Sequence, residues 1–320
     1  MHMTDTPLDD PDLARFVADQ FLVIPDCLPA AQAKRWTDDA LRRCGFDPAD
    51  RSTWPEGHRF LATPADAPAP CPVAELRDLA PKAWAAACQL LGGAERIEDP
   101  VTVTGDLVMN FPMRPGTPST PPSGWHVDGD FNHFIDSPEC GLLAIVLFSD
   151  VLPDGGPTWI APDSIGPICA DVLAHPQGLS AWTMRAERGY HRQCRRFVPL
   201  VGAAGSVVLM HPLMLHSSSL NTRDCARAIR NLFVPLREPM RFDPAARPLS
   251  PVERATLSAL GVERLDFTPP PAHRRHATDH ETGAAQPRPY DTAEQRRTSI
   301  TVDAATCARQ RCEAQAALAC

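Results

Sequence analysis

The sequence predicts a mainly β protein braced by helices. Three observations carry that prediction: helical periodicity through most of the first ninety residues, a later series of short apolar runs, and Gly and Pro breakers between those runs. Helices first and then many short strands suit a helix-braced jelly roll. A plain barrel gives the same pattern, so the fold class by itself says nothing about chemistry.

Residues 9–20 and 29–43 read as helices around a strand at Phe21–Asp26. The Pro-rich stretch 62–72 reads as a loop. Val73–Leu91, with Leu76, Leu79, Trp84 and Leu90 on one face, reads as a single amphipathic helix. Strand-like runs follow at 101–111, 142–151, 157–161, 196–201, 205–211, 213–219 and 227–236. Between them Asp163–His175 reads as a helix capped by Asp163 or Ser164. Leu249–Gly261 is a short helix with Ser250 as N-cap, Pro251 at its first position and Gly261 at its C-terminal end. Residues 1–272 are therefore expected to form one domain with its core at about 95–240. Residues 273–300 read as a flexible tail, and 303–319 as a terminal helix.

Composition narrows the function. The 320 residues are 43% hydrophobic, ample for a core, and carry a net charge of −8. That acidity argues against a nucleic-acid partner, which needs a basic face. Eleven cysteines, an odd number, are scattered without a Cys-x-x-Cys pair, so neither a disulfide framework nor a zinc-knuckle spacing emerges. The N-terminus lacks the basic and apolar regions of a signal peptide, and no run approaches ~18 apolar residues. A reduced, cytoplasmic protein off the membrane is the expectation. The oligomeric state is not legible.

The chemistry concentrates in Gly124-Trp125-His126-Val127-Asp128-Gly129, taken together with His216 and Arg227. Two imidazoles, a carboxylate and a guanidinium are what a non-haem Fe(II) enzyme with a 2-keto-acid cosubstrate requires. A His-x-Asp/Glu pair alone is weak, since 11 His and 39 acidic residues produce about one by chance. The surroundings strengthen it. In an extended segment His126 and Asp128 point to one side. Downstream, Gly205–Ser217 reads as strand, break at Pro212, strand, and Arg227 opens the next strand, where its planar fork can grip a carboxylate.

These residues resemble the phytanoyl-CoA dioxygenase-like family of Fe(II)/2-oxoglutarate oxygenases. Trp125-His126-Val127-Asp128 matches the family's W-H-x-D. His211-Pro212, His216, Ser218 and Asn221 match its H-P-x-x-x-H-x-S-x-x-N, and Arg227 stands 11 residues past His216. Gly155-Gly156-Pro157-Thr158-Trp159 through Ser164 is similar to the family's Gly-Gly block, with Asp163 where Gly is usual, and Phe21–Asp26 to its first strand. The resemblance covers roughly residues 12–240. It implies a double-stranded β-helix (a cupin-like jelly roll), iron held by His126, Asp128 and His216, 2-oxoglutarate held by Arg227, and O2 as co-reactant. His216 rather than His211 is the implied ligand, because Arg227 then falls at the family distance. The carboxylate at Asp128 implies an oxygenase rather than a related halogenase, which has a small residue there.

Further candidates are Asn110 and Thr158 for the cosubstrate, with an ordinary edge-strand role as the alternative for Asn110. His133, Phe134 and Trp159 are candidates to face substrate, with core packing the alternative for Trp159. Asp130 reads as a loop carboxylate, with contact to substrate or an ordered water as the alternative, and Arg230 as a surface charge facing away from Arg227. The Pro112–Pro122 cluster before His126 reads as a loop on the pocket rim. The expected activity is hydroxylation of an unactivated C–H bond of a small molecule, such as a natural-product intermediate, with 2-oxoglutarate converted to succinate and CO2. The low lysine content weakly disfavours a CoA thioester. Two alternatives remain open: a Zn-dependent hydrolase using the same triad, and a non-catalytic jelly-roll binding protein.

Overall fold

A computed structural model describes residues 7–129, 131–180, 183–184 and 188–267. The expected tail at 273–300, the expected helix at 303–319 and Asp130 lie outside the described residues.

Two antiparallel sheets form the centre. Six strands make the larger sheet: β1 (Phe21–Ile24), β2 (Gly57–Leu61), β5 (Leu107–Phe111), β7 (Leu142–Leu147), β11 (Val207–Met210) and β13 (Arg227–Val234). Their spatial order is β1-β11-β7-β13-β5-β2. The smaller sheet runs β10 (Val198–Leu200), β8 (Thr158–Ala161), β12 (Leu215–Ser218). Strands far apart in sequence pair in both sheets, as in a jelly roll. Two short ribbons complete the strands: β3 (Val73–Glu75) with β4 (Thr102–Thr104), and β6 (Asn132–His133) with β9 (Leu179–Ser180). β7, β8 and β11 are buried at every position, which is why they read as continuous apolar runs rather than as alternation.

Helices brace the larger sheet. α1 (Asp10–Asp19) and α2 (Ala30–Arg43) flank β1 as expected. Asp9 caps α1 by accepting from the Asp12 amide. α2 is anchored by Trp36, stacked on Phe148 at 5.3 Å, and by Thr37, which donates to the Phe148 carbonyl. The final helix, Pro251–Leu260, has the expected Ser250 cap, completed into a capping box by Glu253, and ends on Gly261 in the left-handed region. It packs against α1.

Three expectations are corrected. Val73–Leu91 is not one helix: β3 is followed by α3 (Leu76–Leu79) and, after a break at Ala80, α4 (Pro81–Leu91). Pro81 has no N–H to continue a helix and disfavours the helical backbone at Ala80, so it starts a new one. The Asp163–His175 segment begins with a 3-10 turn, and α5 (Ile165–Leu173) has no side-chain cap. Asp163 instead accepts from the Arg195 and Arg196 amides, and Ser164 from the Leu215 amide. Finally, β5 is not an edge strand, because β2 pairs outside it.

Register decides which side chains share a face, because directly paired residues in antiparallel strands point the same way. His58 of β2 pairs with Asn110 of β5, which pairs with Arg227 of β13. Along β13, Arg227, Asn231 and Phe233 therefore emerge on one face and Arg230 on the other.

Candidate metal centre

His126 and His216 are locked together by the backbone. Each amide donates to the other's carbonyl at 2.9 Å, and the two rings lie 4.3 Å apart. The Gly124 amide adds a bond to Ser217 Oγ at 3.1 Å, strapping the Trp125–Asp128 segment onto β12. His126 Nδ1 lies 2.7 Å from the Gly124 carbonyl and His216 Nδ1 2.9 Å from the Met214 carbonyl. A carbonyl only accepts, so both Nδ1 atoms carry a proton and Nε2 is the nitrogen each ring turns toward Asp128. His126 Nε2 is 3.2 Å from Oδ1, and His216 Nε2 is 3.3 Å from Oδ2.

The three ligand atoms lie within 4.8 Å of one another. Two donors bound at about 2.1 Å and a right angle sit about 3 Å apart, so this spacing fits one face of a transition-metal ion. Burial opposes ionisation of Asp128, but the adjoining His216 and His126 outweigh it and hold the carboxyl well below the usual carboxylate range. With both Nε2 atoms deprotonated, the set would offer two neutral imidazoles and one anion, a donor set suited to divalent iron. His211 is occupied otherwise. Its Nδ1 accepts from the Leu213 amide at 3.1 Å, leaving its Nε2 to donate to Thr256 Oγ1 at 2.9 Å, and burial lowers its pKa to about 3. It is a structural histidine that ties β11 to the last helix.

Arg227 is buried, and burial alone lowers its pKa to about 9. Its Nε donates to the Gly156 carbonyl at 2.9 Å and Nη1 reaches the Val108 carbonyl at 3.4 Å. Nη2 is buried with no hydrogen-bond partner among the described residues. A buried guanidinium without a carboxylate is costly, and an anionic ligand would relieve it. The glycine pair explains the cradle. Gly156 has φ +72°, and a Cβ there would lie 2.2 Å from Asn110 Nδ2. Only glycine lets its carbonyl approach Asn110 and Arg227 together.

The remaining expected residues are distributed as follows. Asn110 is buried and its amide donates to the Gly156 and Ser219 carbonyls, bracing the Arg227 cradle. Thr158 pairs with Ser218, on the His216 face of the smaller sheet, whereas Trp159 points to the opposite face and is buried. His133 is buried with its ring 4.7 Å from that of Phe131, and burial lowers its pKa to about 4 against the opposing pull of Asp128. Phe134 is buried with its ring against Gly178. Arg230, turned away from Arg227, donates to the Asp106 carbonyl and lies over Phe60. Asn221 holds the Asn110 and Cys225 carbonyls.

Sequence reasoning missed four residues. Asn231 Nδ2 donates to Asp128 Oδ2 at 3.0 Å. Phe131 and Phe233, both half-buried, meet edge to face at 5.6 Å. His58 keeps contact with solvent, yet partial burial of its ring, then Arg227 and His126, lower its pKa to about 4. Asn231, Phe233 and His58 depend on cross-strand register, and Phe131 on a ring contact with Phe233, distant in sequence. Only the even spacing from Arg227 to Asn231 and Phe233 was available beforehand.

A family model described as phytanoyl-CoA dioxygenase (PhyH) matches residues 18–229. No curated protein matches the chain. Among solved structures, EctD from S. alaskensis in its apo form is 20% identical, covering 73% of this chain and 79% of that one, with a TM-score of 0.44. The non-haem α-ketoglutarate-dependent carbocyclase SnoK from nogalamycin biosynthesis is 16% identical over 73% and 87%, TM-score 0.44. EvdO2 from Micromonospora carbonacea var. aurantiaca is 19% identical over 74% and 95%, TM-score 0.42.

Proposed function

The chain belongs to the phytanoyl-CoA dioxygenase family of Fe(II)/2-oxoglutarate-dependent oxygenases, and from that premise we propose that it hydroxylates an unactivated C–H bond of a small molecule. The observation that carries the reading is the pairing of a three-donor face with a buried guanidinium that has no anion beside it among the described residues. His126, Asp128 and His216 hold Fe(II). Arg227 binds the distal carboxylate of 2-oxoglutarate through Nη2, with Asn110 and Gly156 fixing the guanidinium plane and Thr158 on the neighbouring wall. A Zn-dependent hydrolase would use the triad but leave the Arg227 charge without a purpose.

Bound iron, with 2-oxoglutarate and O2, supplies a two-electron oxidation in which R–H becomes R–OH while 2-oxoglutarate becomes succinate and CO2. The protein's own residues do the rest. The Gly124 and Met214 carbonyls hold the Nδ1 protons and so turn both Nε2 atoms toward the position that the metal would take. The Arg227 cradle orients the cosubstrate. Phe131 and Phe233 offer an apolar wall beside Asp128, which suits a substrate with an apolar or planar portion, including natural-product intermediates. His133 backs that wall.

Succinate release, measured across a panel of neutral and anionic small molecules with Fe(II), 2-oxoglutarate and O2, tests this reading. A compound that stimulates release in the wild type and not in Asp128→Ala supports it. Hydrolysis of a panel member with zinc, and no dependence on 2-oxoglutarate, would replace it with the hydrolase.

A further inference from the structure

Asn231 lies four residues beyond Arg227 on β13 and emerges on the same face. One strand thus carries both the guanidinium proposed for the cosubstrate and an amide that reaches the proposed metal carboxylate. Its register is pinned by pairing with Ile145 of the buried β7. Asn231 Nδ2 donates to Asp128 Oδ2 at 3.0 Å. Each Asp128 oxygen also faces one imidazole, Oδ1 toward His126 and Oδ2 toward His216. That arrangement is nearly symmetric. The terminal torsion of a carboxylate is broad and two-fold, so the imidazoles alone leave its rotation loosely defined. The amide breaks the symmetry by engaging Oδ2 only.

Two further contacts limit how Asn231 and Asp128 can move. Phe233, next on the same face of β13, packs edge to face on Phe131. Gly129, directly after Asp128, has φ +128° and leaves room for only a hydrogen. A Cβ there would meet the Phe131 ring at 2.9 Å and His133 Nε2 at 3.0 Å. The loop carrying Asp128 is therefore folded tightly against the wall that Asn231 shares.

We propose that Asn231 is a positioning residue. By holding Asp128 Oδ2 it fixes the carboxylate rotation and would leave Oδ1 as the oxygen offered to the metal. This rests on the oxygenase reading above. Removing such an outer partner of a metal ligand weakens metal affinity about 10–100-fold.

The test is a Co(II) titration of the full-length protein, followed by the visible absorption of the bound ion, in wild type, Asn231→Leu and Asp128→Ala. Leucine matches asparagine in size and cannot donate. Asn231→Leu is expected to bind Co(II) at least about 10-fold more weakly than wild type, with an altered band shape and an unchanged apo melting temperature. If that variant does not fold, Asn231→Thr suits a strand but is too short to reach Asp128, and should give the same result. Wild-type affinity and an identical spectrum in a folded variant would overturn the proposal. A wild type that binds Co(II) no better than Asp128→Ala would overturn the metal-site reading beneath it, so the two failures are distinguishable.

Discussion

Gly156→Ala tests the cradle that links the two halves of the site. The substitution places a Cβ 2.2 Å from Asn110 Nδ2 and 3.0 Å from Asn221 Cβ, on a backbone with φ +72°. The left-handed conformation costs a non-glycine residue about 1–2 kcal/mol. The clash cannot be absorbed by a flexible side-chain end, because the Asn110 amide is held by the Gly156 and Ser219 carbonyls. Moving it forfeits a neutral hydrogen bond, about 1 kcal/mol, and disturbs the charged Arg227–Gly156 bond, about 1.5–3 kcal/mol. The expected sum is about 3–6 kcal/mol, or a fall of roughly 10 °C in Tm. With Arg227 displaced, 2-oxoglutarate affinity falls by about tenfold or more. Gly155→Ala is the matched control, because the nearest atoms a Cβ there would meet are those of Leu152, at 3.3–3.4 Å. Thermal melts and cosubstrate titrations of the two variants decide the matter. Equal stability and equal 2-oxoglutarate binding in both would refute the argument.

Further outcomes follow from the same structure. His211→Ala should lower stability by about 2–4 kcal/mol yet keep metal binding, whereas His216→Ala should lose the metal, as read by parallel melts and Co(II) titrations. Glu253 is buried and its pKa falls to about 2, because Arg247, the Arg241 amide, Arg96 and Ser250 outweigh burial, which acts the other way. A depressed carboxyl stabilises the fold fully above its unfolded value and loses that contribution as pH falls through the folded one. Stability should therefore drop by about 3 kcal/mol between pH ~4.5 and ~2, and Glu253→Gln should flatten that part of a urea-unfolding pH profile. Phe131→Ala and Phe233→Ala should change substrate preference in succinate-release assays without shifting 2-oxoglutarate affinity. The start of the Pro112–Pro122 segment lines a cavity of about 550 Å³ together with Arg51, Trp54 and Arg223. Replacing the segment with a Gly-Ser linker should alter turnover while leaving iron binding intact.

The triad was legible because its information is local. His126 and Asp128 are two apart in an extended segment, and His216 and Arg227 sit on strands whose apolar runs mark them. The structural roles of Gly156 and Asn221 were hidden inside matched motifs. They became explicable once Asn110 and Arg227 were seen to converge on the Gly156 carbonyl. Asn231 and His58 were not legible, because each reaches the site through pairing with a strand distant in sequence. β2 has no clear signal in the sequence, since its mostly exposed residues show no clean alternation. The break at Pro81 has a local signal in proline's missing N–H, but the apolar spacing of Leu76, Leu79, Trp84 and Leu90 runs across it. Asp163 departs from the family block and takes up the Arg195 and Arg196 amides, a long-range bond with no local signature.

Function depends most on whether one protein binds Fe(II) and a keto acid together. Anaerobic visible absorption of the apo protein, titrated with Fe(II) and 2-oxoglutarate beside Asp128→Ala and Arg227→Ala, measures that directly. The account predicts a charge-transfer band in the wild type, a weaker one at equal cosubstrate in Arg227→Ala, and none in Asp128→Ala. A wild type without the band that instead holds zinc tightly would contradict it.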